Sequence, residues 1–248
     1  MSRPVPAATG ALRVLKFLSA QAEPVSATRI AAAVGLPRSS AYHLLTAMED
    51  EDFVVHYVDD RAWGIGVAAW EVGHGFARQE PLARIARVPL ARLVDSVGES
   101  AHLTMLHGSD VLYVVEERAP GRPRLVTEVG VRLPAHLTAS GRAILAWLRP
   151  EQLRALYPSR EPFVTRTGLG PRSPTELRRV LTETRRRGYA TEEGEVTLGF
   201  SSIAVPILAA GIDASVAVTW ESGTRPELLV EHLHRTATLI ARRFRRGA

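Results

Sequence analysis

Between residues 38 and 46 the chain reads RSSAYHLLT, a run of hydrogen-bonding side chains set at helical intervals. Arg38, Ser39, Tyr42, His43 and Thr46 fall on one face, while Ala41, Leu44, Leu45 and Met48 form the i, i+3, i+4, i+7 stripe of a helix lying on a core. A guanidinium, hydroxyls and an imidazole on one helical face have the reach for phosphates and base edges in a major groove. Arg38-Ser39-Ser40 would also stand at the helix N-terminus, where unpaired N–H groups and the dipole favour phosphate. A second group is Thr138–Gly141, the polar opening of HLTASGRAILAWL. The free N–H groups of such a helix start suit a carboxylate. The plainer use is a cap, with Thr138 or Ser140 serving its own helix, and the two uses are compatible.

Other chemistries have only loose ingredients. Ser140, Ser202, His136 and several carboxylates are hydrolase residue types, but no G-x-S-x-G elbow occurs, and ATEEGE clusters acids without a partnered base. The chain is therefore not expected to be an enzyme. The eight histidines show no metal spacing. His232 and His234, two apart on a helix, face different directions, so neither a metal site nor a cofactor is expected. His74, His102, His107 and His136 stand alone and read as satisfied structural histidines.

The elements that must position residues 38–46 are legible on either side. SATRIAAAVG is a short helix with Ser26 as its cap and Gly35 ending it in a left-handed turn. Pro37 opens the second helix in a first turn, where its missing N–H costs nothing. After the acidic run Glu49–Asp52, FVVHYV, a turn at Asp59-Asp60 and RAWGIG make a strand, a turn and a strand. Helix, turn, helix and hairpin in that order are a winged helix-turn-helix. The plainer alternative is a helical packing unit that serves only assembly.

The charge balance agrees only locally. The chain of 248 residues carries +5 overall, yet residues 1–78 hold seven Lys and Arg against eight Asp and Glu. Within 1–48 the count is five against one, so the end carrying the candidate recognition face is basic, and the acidic corner is expected to point away from DNA. With 46% hydrophobic and 23% charged residues the composition is that of a globular protein, with room for two domains. The chain has no cysteine, no apolar run near the ~20 residues of a membrane span, and no apolar leader core in MSRPVPAATG, so a cytoplasmic location is expected.

GALRVLKFLSAQ reads as a helix leading into the helix-turn-helix, and VAAWEVGHGFARQ as a helix leading out of it. PLARIARVPLARLVDSVG is helical but kinked or broken around Pro89. SAHLTMLH, VLYVVEER and RLVTEVG then read as strands, with a turn at Gly108-Ser109-Asp110 between the first two. SPTELRRVLTETRRRG is a helix capped by Ser173 and closed by Gly188, SSIAVPIL and ASVAVTW are strands, and PELLVEHLHRTATLIARRFRR is a terminal helix. Helices around strands give an α+β fold class.

LPRSSAYHLLTAMEDEDFV, LPAHLTASGRAILA and RRGYATEEGEVTLGFSSIAVPI, in that order, resemble the isocitrate-lyase-regulator (IclR) family of bacterial transcription factors over about residues 11–241. The resemblance implies a winged helix-turn-helix DNA-binding domain at 8–66, a linker helix at 67–79, and a GAF-like α/β effector-binding domain at 80–248. It implies a regulator on palindromic double-stranded DNA, in most such proteins a repressor and in some an activator, working as a homodimer or dimer of dimers and modulated by a small organic molecule. The DNA-facing set carried over is Thr28, Arg38, Ser39, Ser40, Tyr42, His43 and Arg61. The effector set is Leu125, Ala139, Ser140, Glu192, Ser202, Ala217 and Thr219. Ser202 and Thr219 would fix a ligand by their hydroxyls, and an organic acid is the expected class. Glu192 would repel an anion unless protonated or paired with a ligand hydroxyl. His43 stands where many relatives have arginine, RAWGIG departs from the usual wing, and Trp220 stands where a small residue is usual, facing either the pocket or a subunit or helix contact.

Overall fold

The computed structural model describes residues 5–79, 81–158, 162–209, 211–223 and 227–247. The chain divides between residues 79 and 80 into two compact units.

In the first unit α1 (Pro6–Leu18), α2 (Ala27–Val34) and α3 (Arg38–Glu49) surround a core of Val14, Leu18, Ile30, Val34, Leu45 and Met48, closed by Val54 and Trp63. Ser26 caps α2 by accepting the Arg29 N–H at 3.4 Å, and Gly35 ends it at φ 72°. Pro37 is the N-cap of α3 rather than its first helical residue. Its extended backbone lies outside the helix while its carbonyl accepts the Ala41 N–H at 2.9 Å. Strand β1 (Val25–Ser26), too short to leave a pattern, pairs with β3 (Ala62–Ile65). β3 in turn pairs with β2 (Val54–Tyr57), so the wing is three-stranded in the order β1-β3-β2. Its connection is the four-residue turn Val58–Arg61, longer than the Asp59-Asp60 turn expected. Arg61 belongs to that turn, not to the strand, and has the positive φ of 48° that the turn's last residue must adopt. Helix α4 (Val67–Gln79) follows.

The second unit is built on a six-stranded antiparallel sheet in the order β6-β5-β4-β9-β8-β7. The strands are β4 (Ser100–His107), β5 (Asp110–Glu117), β6 (Arg132–Pro134), β7 (Ala190–Glu193), β8 (Phe200–Ala209) and β9 (Ile212–Glu221). The two faces are written in β9: Val216, Val218 and Trp220 point to one side, Ser215, Ala217 and Thr219 to the other. The large apolar side packs on α5 (Pro81–Val97) and α9 (Glu227–Gly247) through Leu82, Leu90, Leu93, Leu233 and Ile240. α5 runs unbroken through Pro89, against the expected break. Burial of Leu82, Ala86, Leu90 and Leu93 on the sheet outweighs the lost backbone bond, about 3 kcal/mol in an isolated helix. Pro226, expected to open α9, lies outside the described residues.

The small-residue side of the sheet receives α6 (Ala139–Leu145): Ala139 and Ala143 meet Ala190, Ala204 and Ala217. Helices α7 (Pro150–Leu156) and α8 (Pro174–Arg187) complete that layer, Ser173 capping α8 and Gly188 ending it. The segment RLVTEVG, residues 124–130, expected as a strand, is a loop leading into β6. Leu125 and Val126 line a cavity instead of meeting a neighbouring strand, and Val129 is exposed. No described helix is long and apolar enough to cross a membrane.

Candidate functional sites

On α3 the apolar stripe is buried and the polar face is free. Ala41, Leu45 and Met48 are in the core, whereas Arg38, Ser39, Ser40, Tyr42, His43 and Thr46 are exposed, Tyr42 by 52%. With Pro37 outside the helix, Arg38, Ser39 and Ser40 are its first three residues, whose N–H groups have no intrahelical partner. Thr28 is exposed in the first turn of α2, and Arg61 is exposed at the wing tip. A non-glycine residue in the left-handed region is worth roughly 1 kcal/mol of backbone strain. The turn accepts that cost and leaves Arg61 exposed.

In the second unit all seven residues of the expected effector set line one cavity of about 50 Å³. Cross-strand register explains their meeting. Glu192 on β7 pairs with Ser202 on β8, and Ser202 with Thr219 on β9, making a polar row across three strands. The Ser202 hydroxyl donates to Glu192 Oε1 at 2.6 Å and lies 3.0 Å from Thr219 Oγ1. Glu192 Oε2 accepts the Glu195 N–H at 3.2 Å. The next row is Ala190, Ala204, Ala217 and His102; Ala217 and His102 line the cavity, while Ala190 and Ala204 pack under α6. Ala139 and Ser140 enter from the start of α6, and Leu125 from the loop before β6.

The start of α6 is fixed from several directions. Thr138 Oγ1 accepts the Gly141 N–H at 2.9 Å, so the cap is Thr138. A Cβ on Gly141 would stand 2.2 Å from the Ala135 carbonyl oxygen, so only glycine fits. Ser215, sharing a hydrogen bond with Thr104 at 2.8 Å, donates to the Ser140 carbonyl at 3.1 Å. The buried Arg142 guanidinium donates to the carbonyls of His136 at 2.8 Å and Thr191 at 2.9 Å, and pairs with Glu195 at 2.8 Å. It ties α6 to β7, the strand that carries Glu192.

Burial pushes the Glu192 pKa up to about 7. The charge of Glu195 pushes the same way, against the Ser202 hydroxyl and the amides of Glu195 and Val196. Burial also drives the His102 pKa down to about 4, keeping the imidazole neutral, and raises that of Tyr113. The wall thus holds a carboxyl that takes a proton near neutrality, hydroxyls, and at its edge the exposed Arg124.

His102, Tyr113, Arg124 and Thr127 line the cavity but were not singled out as site residues. The strand reading of 124–130 hid Arg124 and Thr127, and His102 read as a structural histidine. Its Nδ1 has no partner among the described residues, so it is not a satisfied one. Trp220 faces the helix-covered side, packed in the core with α5 and α9, because it alternates with Thr219 along β9. Among the described residues no cluster of three metal-ligating side chains occurs.

Two family profiles match the chain: the IclR helix-turn-helix domain over residues 7–56, and the bacterial transcriptional regulator IclR C-terminal domain over residues 74–240. The chain belongs to the IclR family. It is a bacterial-type transcriptional regulator with a DNA-binding helix-turn-helix and an effector-binding domain. The transcriptional repressor IclR of Escherichia coli K12 is 30% identical over 201 residues, 80% of this chain and 73% of that protein. The glycerol operon regulatory protein of Streptomyces coelicolor is 31% identical over 238 residues, 92% of each chain. The crystal structure of an IclR homologue from Microbacterium hydrocarbonoxydans complexed with 4-hydroxybenzoate superposes with a TM-score of 0.80 at 25% identity, covering 96% of this chain and 99% of that one. The family and these relatives are regulators, not enzymes, which removes the catalytic and assembly-only readings.

Proposed function

We propose that this IclR-family protein is a cytoplasmic repressor whose grip on a palindromic operator is modulated by a small organic acid bound in the cavity of the second unit. The observation that carries the ligand class is the composition of the cavity wall. Arg124 at its edge supplies a cation for a carboxylate. Glu192, with a pKa near 7, is neutral in enough of the population to tolerate an anion beside it. Leu125, Ala139 and Ala217 supply apolar contact, and Ser140, Ser202 and Thr219 supply orienting polar groups. The 4-hydroxybenzoate held by the Microbacterium homologue supports an acid, and the Escherichia coli repressor supports repression. A cavity of about 50 Å³ accepts only a few heavy atoms, so a larger acid enters by displacing the loop at Leu125–Thr127.

On the DNA side Arg38, Ser39, Ser40, Tyr42 and His43 read the major groove from α3, with Thr28 and Arg61 contacting the flanking backbone. The working form is a homodimer or dimer of dimers whose recognition helices meet half-sites about one DNA turn apart. Effector binding shifts the population between dimer geometries through α4, changing the spacing of those helices.

The test is binding of the purified protein to its own upstream intergenic DNA, titrated in salt, with and without a panel of acids (benzoate, 4-hydroxybenzoate, lactate and propionate) and of uncharged and cationic counterparts such as benzyl alcohol, glycerol and benzylamine. Selective, salt-sensitive binding that one acid alters is the expected result. Selective binding that responds only to an uncharged or cationic compound would reject the acid.

A further inference from the structure

We infer that His102 is a specificity-determining residue of the effector site, hydrogen-bonding an uncharged oxygen of the ligand inside the cavity. This rests on the reading of the cavity as the effector site and adds to it a residue and a chemical requirement.

The position of His102 is set by the sheet. It lies on β4 directly opposite Ala217 on β9, and both line the cavity, so its cross-strand neighbour there ends at Cβ. The side chain has no solvent exposure, lines the cavity, and has the edge of Tyr113 against it at 5.6 Å between ring centroids. Nε2 lies 3.4 Å from Thr127 Oγ1, at the long limit of a hydrogen bond, and Nδ1 has no partner among the described residues.

A buried ring nitrogen without a partner costs stability, and in native structures such groups call for an explanation. Packing does not supply one, because leucine would fill the same space without the orphan atom. A ligand oxygen in the cavity would supply it. A hydroxyl or carbonyl oxygen suits the neutral ring, which offers one donor and one acceptor nitrogen, while the exposed Arg124 at the cavity edge is the cation available to a carboxylate. The carboxylate of an acid then belongs toward Arg124, and a second oxygen, deeper, toward His102. Two polar groups at separate points of one small cavity fix ligand orientation as well as class. Thr127 holds the other side of the ring and sits in the same loop as Leu125, so a ligand that engages His102 also bears on the loop that closes the cavity.

The experiment compares wild type, His102→Leu, His102→Asn and Ser202→Trp as full-length proteins. Binding is measured by calorimetry for two matched pairs, 4-hydroxybenzoate with benzoate and lactate with propionate, and thermal unfolding is followed without ligand. His102→Leu is expected to raise Tm by about 2–4 °C, because the orphan nitrogen is gone. It is also expected to cut the wild-type preference for the oxygenated member of a pair about tenfold or more. His102→Asn, which keeps a polar atom near the place of Nδ1, recovers a measurable part of that preference. A fall in Tm for His102→Leu marks a structural histidine and overturns the proposal, whether or not any of the four acids binds. So does an unchanged oxygenated-to-deoxy ratio. Ser202→Trp separates the two readings. If it abolishes binding while His102→Leu leaves the ratio intact, the cavity stands and His102 falls; if it leaves binding intact, the cavity reading itself falls.

Discussion

At the scale of single residues, the cavity sets a carboxyl where an anion is expected to bind, and the conflict turns into a pH dependence. Burial is the first cause of the raised Glu192 pKa, about 7 in the folded protein against 4.5 ordinarily. A carboxyl raised on folding stabilises the fold fully below its unfolded pKa, and that contribution is lost as pH rises through the folded value. The window is therefore about pH 4.5 to 7, with stability falling across it. An anionic effector favours the protonated form further. Its affinity is expected to be flat at pH 6 and to fall toward tenfold per unit above pH 7, while His102, neutral above pH 5, contributes nothing to the slope. Calorimetric titration of the responding acid at pH 6, 7 and 8 reads this directly. Glu192→Gln should flatten the profile and preserve the affinity seen at pH 6; a wild-type affinity that rises with pH would mean that the ligand pairs with the ionised carboxylate through a donor of its own.

At the scale of elements, the cavity depends on how α6 meets the sheet, and that junction turns on two residues. Gly141→Ala would drive a methyl into the Ala135 backbone, which has no flexible atom to yield. The start of α6 must then move away from Ala190, Ala204 and Ala217. Removing the buried Arg142 would leave Glu195 and two carbonyls without their donor, a loss of about 3–5 kcal/mol for a broken buried pair. Both variants are expected to unfold at lower temperature and to lose effector binding; an unchanged Tm and affinity in Gly141→Ala would show that α6 is not held as tightly as its contacts indicate. These elements differ in how far the sequence discloses them. Helix α3 was legible because its apolar and polar residues alternate with a helical period, and β9 because Ser215, Ala217 and Thr219 interleave with Val216, Val218 and Trp220. The two-residue β1 is shorter than any period. Residues 124–130 carry the β-branched and apolar composition of a strand, but Leu125 and Val126 satisfy it against a cavity that only tertiary structure creates. Pro89 misled for the opposite reason, since local propensity is outweighed by the burial of four neighbouring side chains on the sheet.

At the scale of the whole molecule, recognition and sensing belong to separate compact units, and their lesions should separate too. The excess positive charge lies in residues 79–248, with 24 Lys and Arg against 18 Asp and Glu, so changes to the reading head leave it in place. Arg38→Ala with Tyr42→Ala removes a cation and an aromatic donor from the exposed face of α3 without touching its buried stripe. In a dimer the loss is counted twice. At about 1–3 kcal/mol per specific contact, operator affinity should fall at least 100-fold and approach that of unrelated DNA. If Arg38 neutralises a phosphate, the slope of log affinity against log salt should become shallower by about one unit per protomer. Effector binding and Tm should stay at wild-type values. Ser202→Trp should do the reverse, retaining operator affinity and abolishing its response to the acid. Fluorescence anisotropy with labelled operator at several salt concentrations, alongside calorimetry with the acid, reads all four quantities. A double variant that still binds operator with the wild-type salt slope would remove Arg38 and Tyr42 from the interface, and would move the reading of DNA to the wing, where Arg61 is held in its left-handed conformation.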